Sequence, residues 1–348
     1  MRRNMNEITV LSTACAAMFM PGFFSCLKEN GERNIKIIGV DIVDDAFMGN
    51  WLDKYYKVPK FTDPTYVDVL IEICKKEKVD IFFPHISMEL PLILKDINKF
   101  KAIGVKVAIT ENSALRIANN KLELYRNLAK IGIMAPKYFQ IFNSKDLVKY
   151  AKKLGFPKSK VVVKLAESSG SRGVRVVNNK IDRKANFYNK PNSLDVSMKE
   201  MCLTIDECGK LPDIFVMEFL PGCEYTVDLL ADKGKTIFIA GRHNYESVAS
   251  IAMSSVTEKN EEAFNICRKI VAYLHLDGNI GFDFLFDENG KPVLTDLNPR
   301  VTATVVLFKQ AGLNLPYLRI KQLLGEELPK CEVVDGVKMK RRYIEIFD

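Results

Sequence analysis

Two fold classes lie end to end in this sequence: a doubly wound α/β unit over residues 1–110, then a strand-rich α+β unit. Three observations predict this. Strand-like and helix-like stretches alternate from residue 8 to 110, the pattern of a parallel sheet covered by helices. Strand-like runs then dominate from 161 to 240. Finally, Asn289-Gly290, a strong short hairpin signal, separates two further runs with strand patterning. At 348 residues the chain is too long for one compact core.

The elements of the first unit follow in order. Residues 8–24 carry no charge and come after Arg2 and Arg3, which superficially resembles a secretory signal. Glu7 abuts the run, however, and Ser12, Thr13, Pro21 and Gly22 interrupt it. A strand over 8–11, a loop and a helix is the better expectation. Residues 35–40 form an apolar run ending in Asp41, consistent with a buried parallel strand. Thr62-Asp63-Pro64 reads as a helix start. Val67, Leu70, Ile71 and Cys74 then recur at helical spacing, and Lys75, Lys76 and Lys78 suit the C-terminal dipole. Residues 81–83 and 105–109 supply two more strands.

In the second unit, Asn120 with Glu123 reads as a capping box, opening a helix that stops at Gly132. Strands are expected over 161–165, 173–177, 214–219, 225–230 and 236–240, and a helix over 258–274. The uneven polar stretch 178–212 yields no assignment.

Composition narrows the function classes. With 47% hydrophobic and 27% charged residues the chain is an ordinary soluble globular protein. The net charge of +8 comes from scattered lysines without a basic block. It fits a solvated surface or anionic small molecules better than nucleic acid. Eight cysteines without a Cys-x-x-Cys pair, and only three histidines, argue for reduced thiols in a cytoplasmic protein rather than a zinc site. No convincing Ser/His or Cys/His pair stands out, and His85 and His243 read as packing or substrate-pocket residues. No segment reaches the length of a membrane span.

The chemistry concentrates in the segment GFDFLFDENGKPVLTDLNPR, residues 281–300. Taking Asn289-Gly290 as a two-residue loop pairs Glu288 with Lys291. The ladder then sets Asp283 opposite Asp296, roughly 5 Å apart, and Gly281 opposite Asn298 with space beside it. Two facing carboxylates repel unless a cation lies between them. A hard divalent ion such as magnesium resolves the conflict, with Asn298 as a third oxygen and Arg300 close by. A solvated acidic face is the plain alternative, but it has no use for Asn-Pro-Arg directly after the second aspartate.

This segment resembles the metal-binding hairpin of the ATP-grasp superfamily. Three upstream motifs, in the order of that family, extend the resemblance over residues 110–325. Residues 160–177, KVVVKLAESSGSRGVRVV, resemble its lysine strand and flexible phosphate loop. Residues 216–230, VMEFLPGCEYTVDLL, resemble its adenine hinge. Lys121 matches its first phosphate-contacting basic residue. The phrases IIGVDI and FFPHISMELPLI liken the first hundred residues to the Rossmann-like pre-ATP-grasp domain of carbamoyl-phosphate-synthetase-like proteins. Two departures stand out: Asp296 replaces the usual glutamate, and Ser12-Thr13-Ala14-Cys15 replaces the usual Gly-rich loop.

The resemblance implies a pre-ATP-grasp domain at 1–110, an ATP-grasp domain at 111–325 with a small lid at about 137–213, and a tail at 326–348. The ATP-grasp fold consists of two α+β subdomains clasping ATP. Lys121, Lys164, Ser168, Ser169, Gly170, Ser171 and Gly173 would meet the phosphates. Backbone groups of Glu218, Phe219 and Leu220 would meet adenine, and Glu224 the ribose. Asp283, Asp296 and Asn298 would hold one or two magnesium ions, with manganese as an alternative, and Arg300 and Lys164 would serve the transferring phosphate.

The implied activity is an ATP-dependent ligase that activates a carboxylate as an acyl-phosphate for attack by an amine, or less readily a thiol. Its partners would be a small-molecule carboxylate and amine, neither nucleic acid nor membrane, with a homodimer left open. Arg242 and Glu89 are the candidate substrate residues, with segment 242–255 and the N-terminal domain setting specificity. The rival readings are an ATP-binding regulatory protein without turnover and an NAD-linked oxidoreductase, the latter lacking a G-x-G-x-x-G before Asp41.

Overall fold

A computed structural model describes residues 7–45, 49–168, 170, 172–188, 194–248 and 251–342. The alternation of the first hundred residues forms a parallel sheet of β1 (Ile8–Ser12), β2 (Ile35–Asp41), β3 (Lys54–Lys57), β4 (Ile81–Phe83) and β5 (Lys106–Val107). Its strand order is β3-β2-β1-β4-β5, with Val10 beside both Ile37 and Ile81. The helix Met20–Lys28 begins within the uncharged stretch and packs Phe23, Phe24 and Leu27 into the core. The expected helix at 62 begins later, at Tyr66. Asp63 holds a turn instead, its carboxylate accepting from the Thr65 amide and hydroxyl at 2.8 and 2.6 Å. The strand expected at 105–109 shrinks to two residues.

A second sheet contains β6 (Tyr138–Ile141), β7 (Val161–Leu165), β8 (Val174–Val177), β9 (Asp195–Val196) and β10 (Ile214–Glu218), in the order β6-β10-β7-β8-β9. The unassigned stretch 178–212 contributes β9 and a helix, Met198–Glu207, opened by a Ser197/Glu200 capping box. Val161 and Val163 face the core of this sheet with Ile214 and Val216. Lys164, one residue on, therefore points to the other face.

The third sheet contains β11 (Glu224–Asp232), β12 (Lys235–Val248), β13 (Ile251–Thr257), β14 (Gly278–Phe286), β15 (Pro292–Asn298) and β16 (Lys338–Lys340). Their order is β15-β14-β11-β12-β13-β16. Segment 242–255, expected to set specificity, falls on β12 and β13, with Ala249 and Ser250 outside the described residues: Arg242 faces Thr257, and Asn244 faces Ser255. The tail also joins this sheet, with Lys338 beside Val256. The helix expected at 258 runs Glu261–Leu274, capped by Asn260 accepting from the Ala263 amide.

The chain divides into two compact units. Unit one is Met1–Asn119, Cys223–Phe284 and Asp296–Asp348, and unit two is Asn120–Gly222 and Leu285–Thr295. Within unit one the first and third sheets share a core, in which Val10, Phe24 and Phe83 pack with Leu230, Ala240 and Phe308. Among the described residues no helix is long and apolar enough to cross a membrane.

Candidate active site

Unit one carries a polar face that is buried, the reverse of what a sheet face normally hides. Alternate residues of β11 supply Glu224, Thr226 and Asp228. Their partners across the ladder are Asn244, Arg242 and Ala240. The Asn244 amide donates to Glu224 Oε1 at 2.9 Å and to the Thr226 hydroxyl at 3.0 Å. Thr226 in turn donates to Asp283 Oδ1 at 2.9 Å. On the other oxygen of Asp283, the Asn298 amide donates at 2.9 Å. Arg300 closes the chain, donating to Asn298 Oδ1 at 3.3 Å, the Ser87 hydroxyl at 3.1 Å and the Val301 carbonyl at 2.9 Å.

Asp283 is the most perturbed carboxyl of this network. Burial first, then the charges of Glu224 and Asp296, push it up from 3.8 to about 7, against the pull of the Thr226 hydroxyl. That shift is the electrostatic conflict the sequence implied, now with a third carboxylate in it. A divalent cation beside these oxygens would relieve it, so the donor set fits magnesium. Among the described residues no group of three or more His, Cys, Asp or Glu side chains is arranged around a single ion position. The fit therefore rests on Asp283, Asp296 and the amide of Asn298. That amide turns its nitrogen to Asp283 and its oxygen to Arg300, and a half-turn exchanges the two.

The turn that was expected to set this register is different. Asp287 pairs with Lys291, the Gly290 amide returns to the Asp287 carbonyl at 3.1 Å, and Gly290 has φ +76. The loop thus has three residues, Glu288, Asn289 and Gly290, with the glycine in the left-handed region. A three-residue loop moves every facing pair by one, so the turn alone does not set Asp283 across from Asp296. Further along the strands Gly281 does lie close to Asn298: a Cβ on Gly281 would be 3.7 Å from the Asn298 Cβ. Nor is the space beside Gly281 open, since that same Cβ would meet Thr302 Cγ2 at 2.2 Å. Gly281→Ala is expected to destabilise the protein by about 1–3 kcal/mol through overpacking. Adding Thr302→Ser should recover most of that loss in a denaturant titration.

Both candidate substrate residues have partners inside the protein. Arg242 and Asp228 form an ion pair with each side chain 4% exposed, and Arg242 Nε also donates to Asn244 Oδ1 at 3.2 Å. Glu89, fully buried, accepts from the Thr13 hydroxyl at 2.6 Å, the His85 and Ile86 amides at 2.9 and 3.0 Å, and the Tyr66 hydroxyl. Burial raises its pKa. Each is thus a structural tie rather than an open clamp. His85 lies near Arg300, and burial reinforced by that charge lowers it to about 3, keeping the imidazole neutral. His85 Nε2, Asn119 Oδ1 and Thr302 Oγ1 are buried without a hydrogen-bond partner among the described residues.

A cysteine–histidine pair does exist, contrary to expectation. Cys223 Sγ lies 3.5 Å from His243 Nδ1, and His243 Nε2 lies 3.4 Å from Glu258. Cys223 and His243 occupy the opposite face of β11 and β12 from Glu224 and Asn244, so they stand apart from the carboxylates. Cys223→Ala is expected to change ATP turnover by less than about two-fold, as surface substitutions away from a site do.

Unit two assembles the lysines. Asn120 caps the helix Lys121–Lys130 by accepting from the Glu123 amide, and its own amide donates to Glu167 at 2.9 Å. Glu123 turns to Arg126 instead of completing the box. The backbone of Lys121 donates to Ala166 O at 2.9 Å, and its buried ammonium to Ser168 O at 3.1 Å. This docks the helix start on the loop that follows Lys164. The loop closes where the Leu165 amide meets Gly173 O at 3.1 Å. Gly173 must be glycine, having φ +68 and no room for a Cβ, which would lie 2.3 Å from Leu165. Gly170 is also left-handed, at φ +64. Ser169 and Ser171 lie outside the described residues.

At the expected adenine hinge, the Glu218 amide is spent on the Lys137 carbonyl at 2.9 Å. Its carboxylate accepts from the Lys137 amide at 2.8 Å, so Glu218 holds β6 and β10 together. Phe219 is 38% exposed, Leu220 is buried, and neither amide is bonded among the described residues.

The NAD-linked reading finds no support. Asp41 Oδ2 accepts from the Ala16 amide at 2.9 Å, in the loop where a dinucleotide would need free amides.

Known proteins match this architecture. Residues 210–343 match the family model described as ATP-grasp in the biosynthetic pathway with Ter operon, and residues 23–108 match PylC-like, N-terminal domain. The carbamoyl phosphate synthase large chain of Pyrococcus furiosus is 23% identical over 239 residues, 66% of this chain and 21% of that protein. This chain spans 21–26% of the length of the curated relatives it matches. Among solved structures, N5-carboxyaminoimidazole synthetase from Staphylococcus aureus superposes with a TM-score of 0.65 at 14% identity, covering 96% of this chain and 82% of that one. The biotin carboxylase domain dimer of Hydrogenobacter thermophilus 2-oxoglutarate carboxylase, in complex with MgADP, ADP and bicarbonate, gives 0.67 at 13% identity, covering 92% and 70%. Residues 210–343 thus match an ATP-grasp family model, residues 23–108 match a PylC-like amino-terminal domain ahead of it, and the chain shares the fold of these solved ATP-grasp structures.

Proposed function

We propose that the protein is an ATP- and magnesium-dependent ligase that joins a carboxylate to an amine. The observation that carries this reading is the largely enclosed network of half-buried Glu224, Asp283 and Asn298 around buried Thr226, whose central carboxyl is pushed to about 7. A fold has no stability reason to gather unrelieved negative charge in a half-buried cluster, so a cationic ligand is its best explanation. The relative with MgADP bound supports the same choice of ligand.

In this reading Asp283, Asp296 and Asn298 hold magnesium, which supplies charge neutralisation and Lewis-acid polarisation at the phosphates when bound. Glu224 accepts from the ribose hydroxyls, held for that task by Asn244. Lys121 and Lys164 carry phosphate charge, and the loop through Gly170 and Gly173 covers it. Phe219 and Leu220 offer their unbonded backbone to adenine. The substrate carboxylate attacks the γ-phosphoryl group, releasing ADP and leaving an acyl-phosphate. An amine then displaces phosphate and a C–N bond forms. Arg300, fixed by Ser87 and Val301, stabilises the transferring phosphoryl group electrostatically. The eight free cysteines suit a reducing compartment such as the cytoplasm.

Release of ADP, screened across pairs of small carboxylates and amines, tests the proposal. Turnover that requires one of each supports it. ATP binding without ADP release from any pair would favour a regulatory protein that keeps the fold without turnover.

A further inference from the structure

The amino-terminal domain contains a cavity of about 440 Å³ that the phosphate chemistry leaves unused. Its size falls within the roughly 300–1,000 Å³ typical of small-molecule sites. It opens outside the carboxyl ends of the parallel strands, where open α/β sheets bind ligands. Thr13 and Ala14 enter from the end of β1, Val40 and Asp41 from β2, Val58 from beyond β3 and Ile86 from beyond β4.

The floor is apolar for a specific reason. Tyr66 and Thr13 line the cavity, but both hydroxyls are spent on Glu89, together with the backbone amides of His85 and Ile86. Glu89 thereby fixes three separate stretches of the surroundings and leaves neither hydroxyl available to a ligand. Val40 and Val58 complete the buried floor, with Phe61 toward the rim.

Two charges of opposite sign stand among the lining residues. Asp41 accepts from the Ala16 amide at 2.9 Å and the Ile42 amide at 2.7 Å, which holds it still while each oxygen keeps a lone pair. Lys60 is exposed; its carbonyl accepts from the Asp63 amide at 2.8 Å, while its ammonium has neither hydrogen bond nor ion pair among the described residues. A nucleotide is a poor fit, because Asp41 repels phosphate and occupies a loop amide that would bind it. A plain hydrocarbon leaves both charges unused. A small zwitterion with an apolar body satisfies every group.

We propose that this cavity binds a free α-amino acid with a large aliphatic or aromatic side chain. The ammonium meets Asp41, the carboxylate meets Lys60, and the side chain fills the floor between Val40, Val58 and Tyr66. That the bound amino acid is one of the ligase's two substrates rests on the function proposed above; its binding does not.

Calorimetric titration of the intact protein in EDTA, without nucleotide, reads the binding alone. Leucine or phenylalanine should bind. Glycine, 4-methylpentanoate and isopentylamine, each lacking one of the three recognised parts, should bind about ten-fold more weakly or worse. Lys60→Glu should weaken leucine to the same degree while keeping the thermal stabilisation by Mg-ATP, and Phe61→Ala should weaken phenylalanine more than glycine. Absence of binding by any apolar amino acid at millimolar concentration, or unchanged leucine affinity in Lys60→Glu, would overturn the proposal. Leucine binding in a protein that Mg-ATP fails to stabilise would support the cavity and sink the ligase reading instead.

Discussion

Asp283→Asn is expected to abolish ligase turnover and, in the absence of divalent metal, to make the protein more stable at pH 8 than the wild type. The two effects have one origin. The folded Asp283 carboxyl is raised from 3.8 to about 7 by burial and by Glu224 and Asp296. A raised acid favours the folded state fully below its unfolded pKa, and that contribution is lost as pH rises through the folded value. Without magnesium, wild-type stability should therefore decline from about pH 4 to pH 7, by on the order of 2–4 kcal/mol at most. Asparagine has no charge to bury, so the variant should lack this decline. Magnesium should reverse the ranking, stabilising the wild type strongly at pH 8, weakly at pH 5, and the variant hardly at all. Activity should fall by about 100-fold or more, the cost of removing one electrostatic support of a transition state. Thermal melts across pH, with EDTA and with magnesium, check the stability claims. A wild-type melting temperature flat across that range in EDTA would contradict them.

Arg242→Met should be the most destabilising single change in the third sheet. It leaves Asp228, whose side chain is 4% exposed, as an uncompensated charge, a loss of about 3–5 kcal/mol by equilibrium unfolding. Pairing it with Asp228→Asn should bring stability most of the way back. A full recovery of stability without recovery of turnover would show that the pair also shapes the site, since Arg242 braces Asn244 and Asn244 braces Glu224. If the single change costs less than about 1 kcal/mol, the range of ordinary surface substitutions, the pair is solvated in solution and the buried face is misread.

These two residues also mark where the sequence was legible. Asp283 could be singled out as a candidate because the pattern of its segment is local: an alternating strand, a turn and Asp-x-Asn-Pro-Arg in one stretch. The β7 strand, the Lys164 loop and the cap at Asn120 were legible for the same reason. Arg242 could not be placed, because a polar run such as GRHNYESV has the composition of a loop. It forms a strand only because its alternate side chains meet Glu224, Thr226 and Ser255 across the ladder. Glu89 posed the same difficulty, with partners 76 and 23 residues away in Thr13 and Tyr66. Asn289-Gly290 gave away the hairpin but not its loop length, since a left-handed glycine serves two-residue and three-residue loops alike. Cys223 and His243 carry no shared motif, and only the β11–β12 register brings them together.

The small strand β16 has a practical bearing. It lies along β13, the Gly336 amide reaches the Thr257 carbonyl at 2.7 Å, and the Arg341 amide reaches Met253 at 2.8 Å. Trimming the polypeptide after the last long helix would strip that cover and leave β13 with a row of unsatisfied backbone groups, a template for chains to stick to one another. For anyone producing this protein, residues 326–342 are part of the folded body, and the site of an affinity tag or a shortened gene should be chosen accordingly.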